Sequence, residues 1–267
     1  MKKVLFLFIF LVTPLLFGQK KYKIDYTYTD VNKTSIESSL FTDGSESLYQ
    51  LYDKRDRGIK DLPNGEISFV ENDNLSRFCY TNNEKAYYRF LSYGNEFIYF
   101  DKYNEKTNWE INNDIKKKIN NYECVQAKLS MNGRRYTAWF TYEIPIKFGP
   151  MKLHNLPGLI LEVKEDGGFF EIKFKSIQKV ENVKELYDVK KYVLNKKVMY
   201  SYQDYEKRII EIEVNNKIRW ISEVKKMDAE DETTTSINDD LSNKEVLDNL
   251  LDCPKNLITE LKKYQYN

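Results

Sequence analysis

The stretch that most constrains this chain is Tyr122–Ile144, two alternating runs that meet at Asn132-Gly133. Asn-Gly between such runs favours a type I′ turn, because both central residues must accept a positive φ. The spacing predicts a hairpin of Tyr122–Met131 and Arg134–Ile144. Tyr136, Ala138, Phe140, Tyr142 and Ile144 share one face of the return strand, and Thr137, Trp139, Thr141 and Glu143 share the other.

The same period of two runs through Tyr22–Thr29, where Tyr22, Ile24, Tyr26 and Tyr28 alternate with polar residues. Short strand-like runs follow at Ser47–Tyr52, Glu66–Val70, Arg77–Tyr80, Ala86–Leu91 and Glu96–Asp101, divided by turn signals such as Asp43-Gly44 and Asn82-Asn83. Trp109–Ile111 and Lys116–Asn120 predict a further pair, and Leu159–Lys164 with Phe169–Lys175 a second hairpin. The fold expected is mainly β (α+β): a curled antiparallel sheet or half-barrel with C-terminal helices covering it. The β domain spans 19–227 and includes one helix near 201–214, opened by a capping box at Ser201-Tyr202-Gln203-Asp204. Residues 228–242 read as an acidic linker or loop, and 243–267 as a C-terminal helical segment.

The N-terminus has the layout of a secretory signal peptide. Lys2 and Lys3 precede an apolar run from Val4 to Leu16, and Phe17-Gly18 precedes the polar Gln19-Lys20-Lys21. Cleavage is expected after Gly18, giving a periplasmic or secreted protein. The run is shorter than the roughly 18–20 residues that span a bilayer, and no later segment is apolar enough to do so. Lys+Arg 42 against Asp+Glu 41 leaves the chain close to neutral. That balance argues against nucleic acid as a partner, since phosphate backbones reward a concentrated basic surface. Cys79, Cys124 and Cys253 contain no CxxC. One disulfide, with Cys79–Cys124 the preferred pair, and three buried thiols both fit.

One segment is distinctive: Trp139–Pro150, with Ile144-Pro145 and Gly149-Pro150, followed by Lys152-Leu153-His154-Asn155-Leu156-Pro157-Gly158-Leu159-Ile160. It resembles the GLPGLI family of exported bacterial proteins, named for its hexapeptide. Asn155 stands where that hexapeptide has its first glycine. Tyr122, Cys124 and Ala127 also match the family's Tyr-x-Cys-x-x-Ala pattern. The resemblance implies an exported, β-rich protein of Gram-negative bacteria, from a family without a generally assigned activity. The prolines carry the chain out of the sheet after Ile144 and keep it out until past Pro157. Gly149 and Gly158 admit close approaches that a Cβ would block, and Asn155 tolerates the left-handed region. A rigid turn is one reading. A shaped rim that holds a ligand or partner is the other, formed by Trp139, Phe148, His154, Asn155, Pro157 and Gly158.

Catalytic signatures are weak. His154 is the sole histidine, no GxSxG surrounds a serine, and HExxH is absent, so no cofactor or metal is expected. His154 itself reads as a surface or turn residue. Glu143, Glu162 and Glu165 lie near the motif, but a sheet's solvent face accounts for them. The reading leans away from an enzyme and towards a non-catalytic ligand-binding or accessory protein of the envelope, with an envelope protein or a small apolar or glycan molecule as partner. A carboxylate-based hydrolase in a β-sheet cleft and a structural component of an envelope assembly are the alternatives.

Overall fold

The computed structural model describes residues 20–53, 58–61, 67–70, 77–92, 95–102, 107–231 and 257–264. The expected signal peptide, Cys253 and most of the expected linker and C-terminal helical segment lie outside these residues.

Fourteen strands and three helices are described. In chain order they are β1 (Lys21–Asp30), β2 (Ser35–Thr42), β3 (Ser47–Leu51), β4 (Gly58–Asp61), β5 (Ile67–Val70), β6 (Phe78–Thr81) and β7 (Lys85–Ser92). Then come β8 (Asn95–Lys102), β9 (Glu110–Ile119), β10 (Tyr122–Met131), β11 (Arg134–Thr141), β12 (Leu159–Glu165) and β13 (Phe170–Val180). Helix α1 (Lys184–Asn195), β14 (Tyr200–Ser201), α2 (Tyr202–Asp231) and α3 (Leu257–Leu261) follow among the described residues.

The protein is mainly β. Twelve strands form one open sheet in the order β14-β8-β7-β6-β3-β2-β1-β13-β12-β11-β10-β9, and β4 pairs with β5 in a separate ribbon. All neighbours are antiparallel except β14, which runs parallel to β8. The order is that of two meanders, β1 to β8 and β9 to β13, joined where β1 pairs with β13 from Lys21↔Val180 to Asp30↔Phe170.

Alternation explains the core. Ile24, Tyr26, Leu40, Tyr49, Cys79, Tyr88, Tyr136, Ala138 and Phe140 point into the main apolar cluster. Phe41, Leu48, Phe78, Tyr80 and Tyr87, their neighbours along the same strands, point the opposite way and meet Val183, Leu186, Val189 and Val193 in and beside α1. Strands β2, β3, β6 and β7 are therefore apolar on both faces. Helix α2 adds Tyr205 and Ile209 to the main cluster, and α3 adds Leu257 and Leu261. Tyr88, Tyr99 and Tyr205 stack in a row, with ring centroids 4.9 and 4.1 Å apart.

The predicted hairpin is present. Met131 opposes Arg134, and Asn132 and Gly133 have φ of 48° and 77°. The return strand stops at Thr141, short of Ile144. The register shift at Trp139/Phe140 leaves the extra residue, Leu161, on β12; Phe140 and Thr141 are both buried, and Tyr142, beyond the strand's end, is exposed with its ring against Phe140. The pair predicted around Trp109 and Lys116 is a single strand, β9. Val125 opposes Lys116 and Gln126 opposes Asn112, so 113–115 bulge out of the ladder. The capping box forms as expected: Ser201 Oγ accepts the Asp204 N–H at 3.2 Å and donates to Asp204 Oδ2 at 2.6 Å. The helix it opens continues past Val214 to Asp231, so 228–231, expected as linker, are helical.

The preferred disulfide is corrected. Cys79 and Cys124 are both buried free thiols. They sit on β6 and β10, with six strands between them in the sheet order. Burial pushes the Cys79 thiol up to about 12 and the Cys124 thiol up to about 11, so both stay protonated and unreactive at neutral pH.

Removing Tyr205 would leave a void beside Tyr99 in the main cluster. Tyr205→Ala is expected to lower stability by about 3–5 kcal/mol, read as a shift in the urea midpoint.

Candidate functional site

The segment between β11 and β12 is a packed loop. Pro145, Pro150 and Pro157 have no N–H to place in a ladder. The loop bonds to itself: Ile146 N–H and Leu159 N–H both donate to the Ile144 carbonyl at 2.8 and 2.9 Å, and Asn155 N–H donates to the Lys147 carbonyl at 2.8 Å. Ile146, Phe148, Leu153 and Leu156 are buried beneath it. A Cβ on Gly149 would collide with the Leu153 carbonyl oxygen, and one on Gly158 with the Thr141 carbonyl oxygen. Both glycines are thus required by close approach, as the sequence implied.

The six residues marked out from the sequence occupy different surroundings. Phe148 lies under the loop. Trp139 is half-buried on β11, with the Lys117 ammonium 4.3 Å from its ring centroid and Glu162 paired to that ammonium at 2.6 Å. Of the surface or turn position expected for His154, it holds a place in the loop but not at the surface, since it is buried. The loop folds back over the core at this point, and the His154 carbonyl accepts the Trp109 indole N–H at 2.8 Å. Asn155 is exposed at φ 68° and donates its side-chain amide to Thr107 Oγ1 at 3.0 Å. Pro157 is exposed, and Gly158 is buried against Thr141.

Phe148 alone of the six lines the groove that the loop creates. This groove, about 740 Å³, opens where the main cluster reaches the surface. Tyr22, Tyr122, Ile144 and Ile177 pack against the cluster from one side and face the groove from the other. Tyr122 is held edge-on to Phe174 at 6.1 Å. Lys20, Lys147, Lys179 and Glu143 supply the charged part of the lining. A second recess of about 400 Å³ shares Glu143 and is lined by Lys116, Lys117, Lys118, Asn121 and Glu123. Sequence reasoning missed Tyr22, Lys147, Ile177 and Lys179 as a set. They come together because Tyr22 opposes Lys179 in the β1–β13 register.

The carboxylates near the motif are each held by a structural partner. Glu143 accepts the Glu123 N–H at 2.9 Å, and Glu162 is paired with Lys117. Glu165 accepts the Phe169 N–H at 2.9 Å and lies 3.7 Å from the Arg134 guanidinium. Among the described residues no group of three His, Cys, Asp or Glu could hold a metal ion.

Residues 72–204, 133 of the 267, match the PNGase F-II family model described as "N-glycanase peptide, N-terminal domain". A structure of PNGF-II in a C2 crystal form aligns with 68% of this chain at 18% identity and a TM-score of 0.46, over 31% of its own length. The chain therefore spans about a third of that protein. An uncharacterised conserved protein from Thermus thermophilus aligns over 68% of this chain and 90% of its own, at 6% identity and a TM-score of 0.37. A LolA superfamily protein from Nitrosomonas europaea aligns over 64% and 90%, at 5% identity and a TM-score of 0.26. No curated protein sequence matches the chain.

Two measurements check the loop. Asn155→Gly and Asn155→Ala both remove the amide bond to Thr107, but only alanine meets the left-handed backbone with a Cβ. Asn155→Ala should be less stable than Asn155→Gly by about 1–2 kcal/mol in denaturant unfolding.

The second concerns Lys152, a loop residue whose ammonium is buried and feels Arg134 on β11, Asp101 on β8 and Cys79 on β6. Burial, reinforced by the Arg134 guanidinium, pushes it down from 10.5 to about 7. Between those values the unfolded chain binds a proton that the folded one does not, so stability rises with pH from about 7 towards 10. Burial likewise takes His154 down to about 4, which adds a rise between about 4 and 6.5. Lys152→Met should raise the melting temperature most at pH 6 and flatten the rise above pH 7. The rise below 6.5 should persist.

Proposed function

We propose that this chain is an exported, non-catalytic binding protein that holds a glycan in the groove beside the Ile144–Phe148 loop. The groove carries the reading. Its volume of about 740 Å³ lies within the range of small-ligand sites, and its floor is aromatic and aliphatic with polar groups at the edge. A tyrosine offers an apolar ring face to sugar C–H groups and a hydroxyl to sugar oxygens, and Tyr22 and Tyr122 both line the groove. Glycan is the ligand class favoured because the match to an N-glycanase N-terminal domain covers Tyr122, the Ile144–Phe148 loop, Ile177 and Lys179. The engaged state of Glu143, Glu162 and Glu165 supports binding without hydrolysis.

The finer fold reading belongs with this function. The sheet curls as a half-barrel around the main cluster, with the C-terminal helices as its cover and the groove at one open end. Tyr205, Ile209, Leu257 and Leu261, all in the main cluster, support that arrangement. The basic and apolar N-terminus and the likeness of Leu156–Ile160 to the GLPGLI hexapeptide support export to the periplasm or medium. Among the described residues no helix is long and apolar enough to cross a membrane.

Calorimetry of the processed protein against oligosaccharides released from N-glycoproteins tests the reading. Binding that weakens about tenfold in Tyr122→Ala, with the oligosaccharide and its glycopeptide recovered unchanged by mass spectrometry, is the expected result. Absence of binding across the panel, or cleavage of the glycopeptide, would overturn it.

A further inference from the structure

The charges around the groove do not mirror those of the whole chain. Lys+Arg and Asp+Glu are nearly balanced in the sequence. The groove and the recess that shares Glu143 are lined by Lys20, Lys147, Lys179, Lys116, Lys117 and Lys118, against Glu123 and Glu143 alone. Two of these lysines are compensated: Lys116 pairs with Glu123 at 2.9 Å and Lys117 with Glu162 at 2.6 Å. Lys20, Lys118 and Lys179 make no ion pair among the described residues. The Lys147 ammonium stands 5.3 Å from the ring centroid of Phe148, on the groove floor. Positive charge is therefore concentrated over an apolar surface, where attraction for an anion is stronger than over open water.

We infer that the groove selects an acidic saccharide, one that carries sulfate, phosphate or carboxylate, over its neutral counterpart. This rests on the glycan reading above and specifies its ligand class. The sugar ring lies against Tyr22 and Tyr122, and the acidic substituent faces Lys147 and Lys179. Flexible ammonium groups suit this task, since each meets a tetrahedral or planar anion as a point charge without demanding one geometry.

The test compares a neutral N-acetyllactosamine oligosaccharide with its sulfated form, using the processed protein at low and at physiological salt. The sulfated form should bind at least about tenfold more tightly at low salt, and the advantage should shrink as salt rises. In the double variant Lys147→Gln, Lys179→Gln the ratio of the two affinities should fall to about one at low salt. Both side chains are exposed, so the fold is not at risk. Equal binding of the two forms would overturn the inference and leave the glycan reading standing. No binding of either would overturn both. A sulfate preference untouched by the double variant would also overturn the inference, because the charge would then be read elsewhere. So would inorganic sulfate that competes as strongly as the sulfated saccharide, since the site would then recognise the anion alone.

Discussion

The ladder between β1 and β13 holds the molecule together. Every other join in the large sheet, apart from β14 on β8, links strands within one of the two meanders. Its ten pairs place Ile24 opposite Ile177, Tyr26 opposite Phe174 and Tyr28 opposite Ile172, which makes the main cluster continuous across the junction. The Tyr26 hydroxyl, fully buried, extends the join to a third strand by donating to the Ile160 carbonyl at 2.9 Å. A buried hydroxyl without such a partner would cost stability, so this bond ties β1 specifically to this neighbourhood. The groove is a product of the same ladder, with Tyr22 from one strand and Ile177 and Lys179 from the other.

The other wall of the groove exists because the chain is barred from the sheet between Thr141 and Leu159. Prolines remove donors, and the loop compensates with bonds of its own and with four buried apolar side chains. Gly158 then returns the chain to the sheet at a distance from Thr141 that no other residue allows. Rigidity of this kind suits a binding surface, because a preformed wall need not be ordered at the moment of binding.

Strands and turns were legible where one face was polar. Tyr22–Thr29 and the Asn132-Gly133 hairpin follow the alternation read from the sequence, and Asn155 has the positive φ expected of it. Helix α1 was not legible. Its stripe of Leu186, Val189 and Val193 is spaced among lysines, and no side chain caps its start. Its binding surface is the second face of β2, β3, β6 and β7, where Phe41, Leu48 and Tyr80 interrupt the alternation that would have marked those strands as half-buried. The charged lining of the groove left no local signal either. Lys20, Lys147 and Lys179 are far apart in a chain with 42 Lys+Arg, and only the β1–β13 register together with the path of the β11–β12 loop brings them to one groove. His154 was misplaced for a related reason, since nothing local reveals that the loop folds back over the core.

The position of β1 also dictates when the sheet can be finished. As the first of the described strands to be made, it finds β2 at once, but its other edge must wait for a partner that ends at Val180. At roughly 5–20 residues per second of synthesis, that delay is on the order of ten seconds. During it the chain presents one incomplete meander and an open edge. Non-local closure of this sort is slow even after the whole chain is available. In a chain arranged in this order the first meander cannot be sealed before the second has been made, so the two halves of the large sheet are finished together.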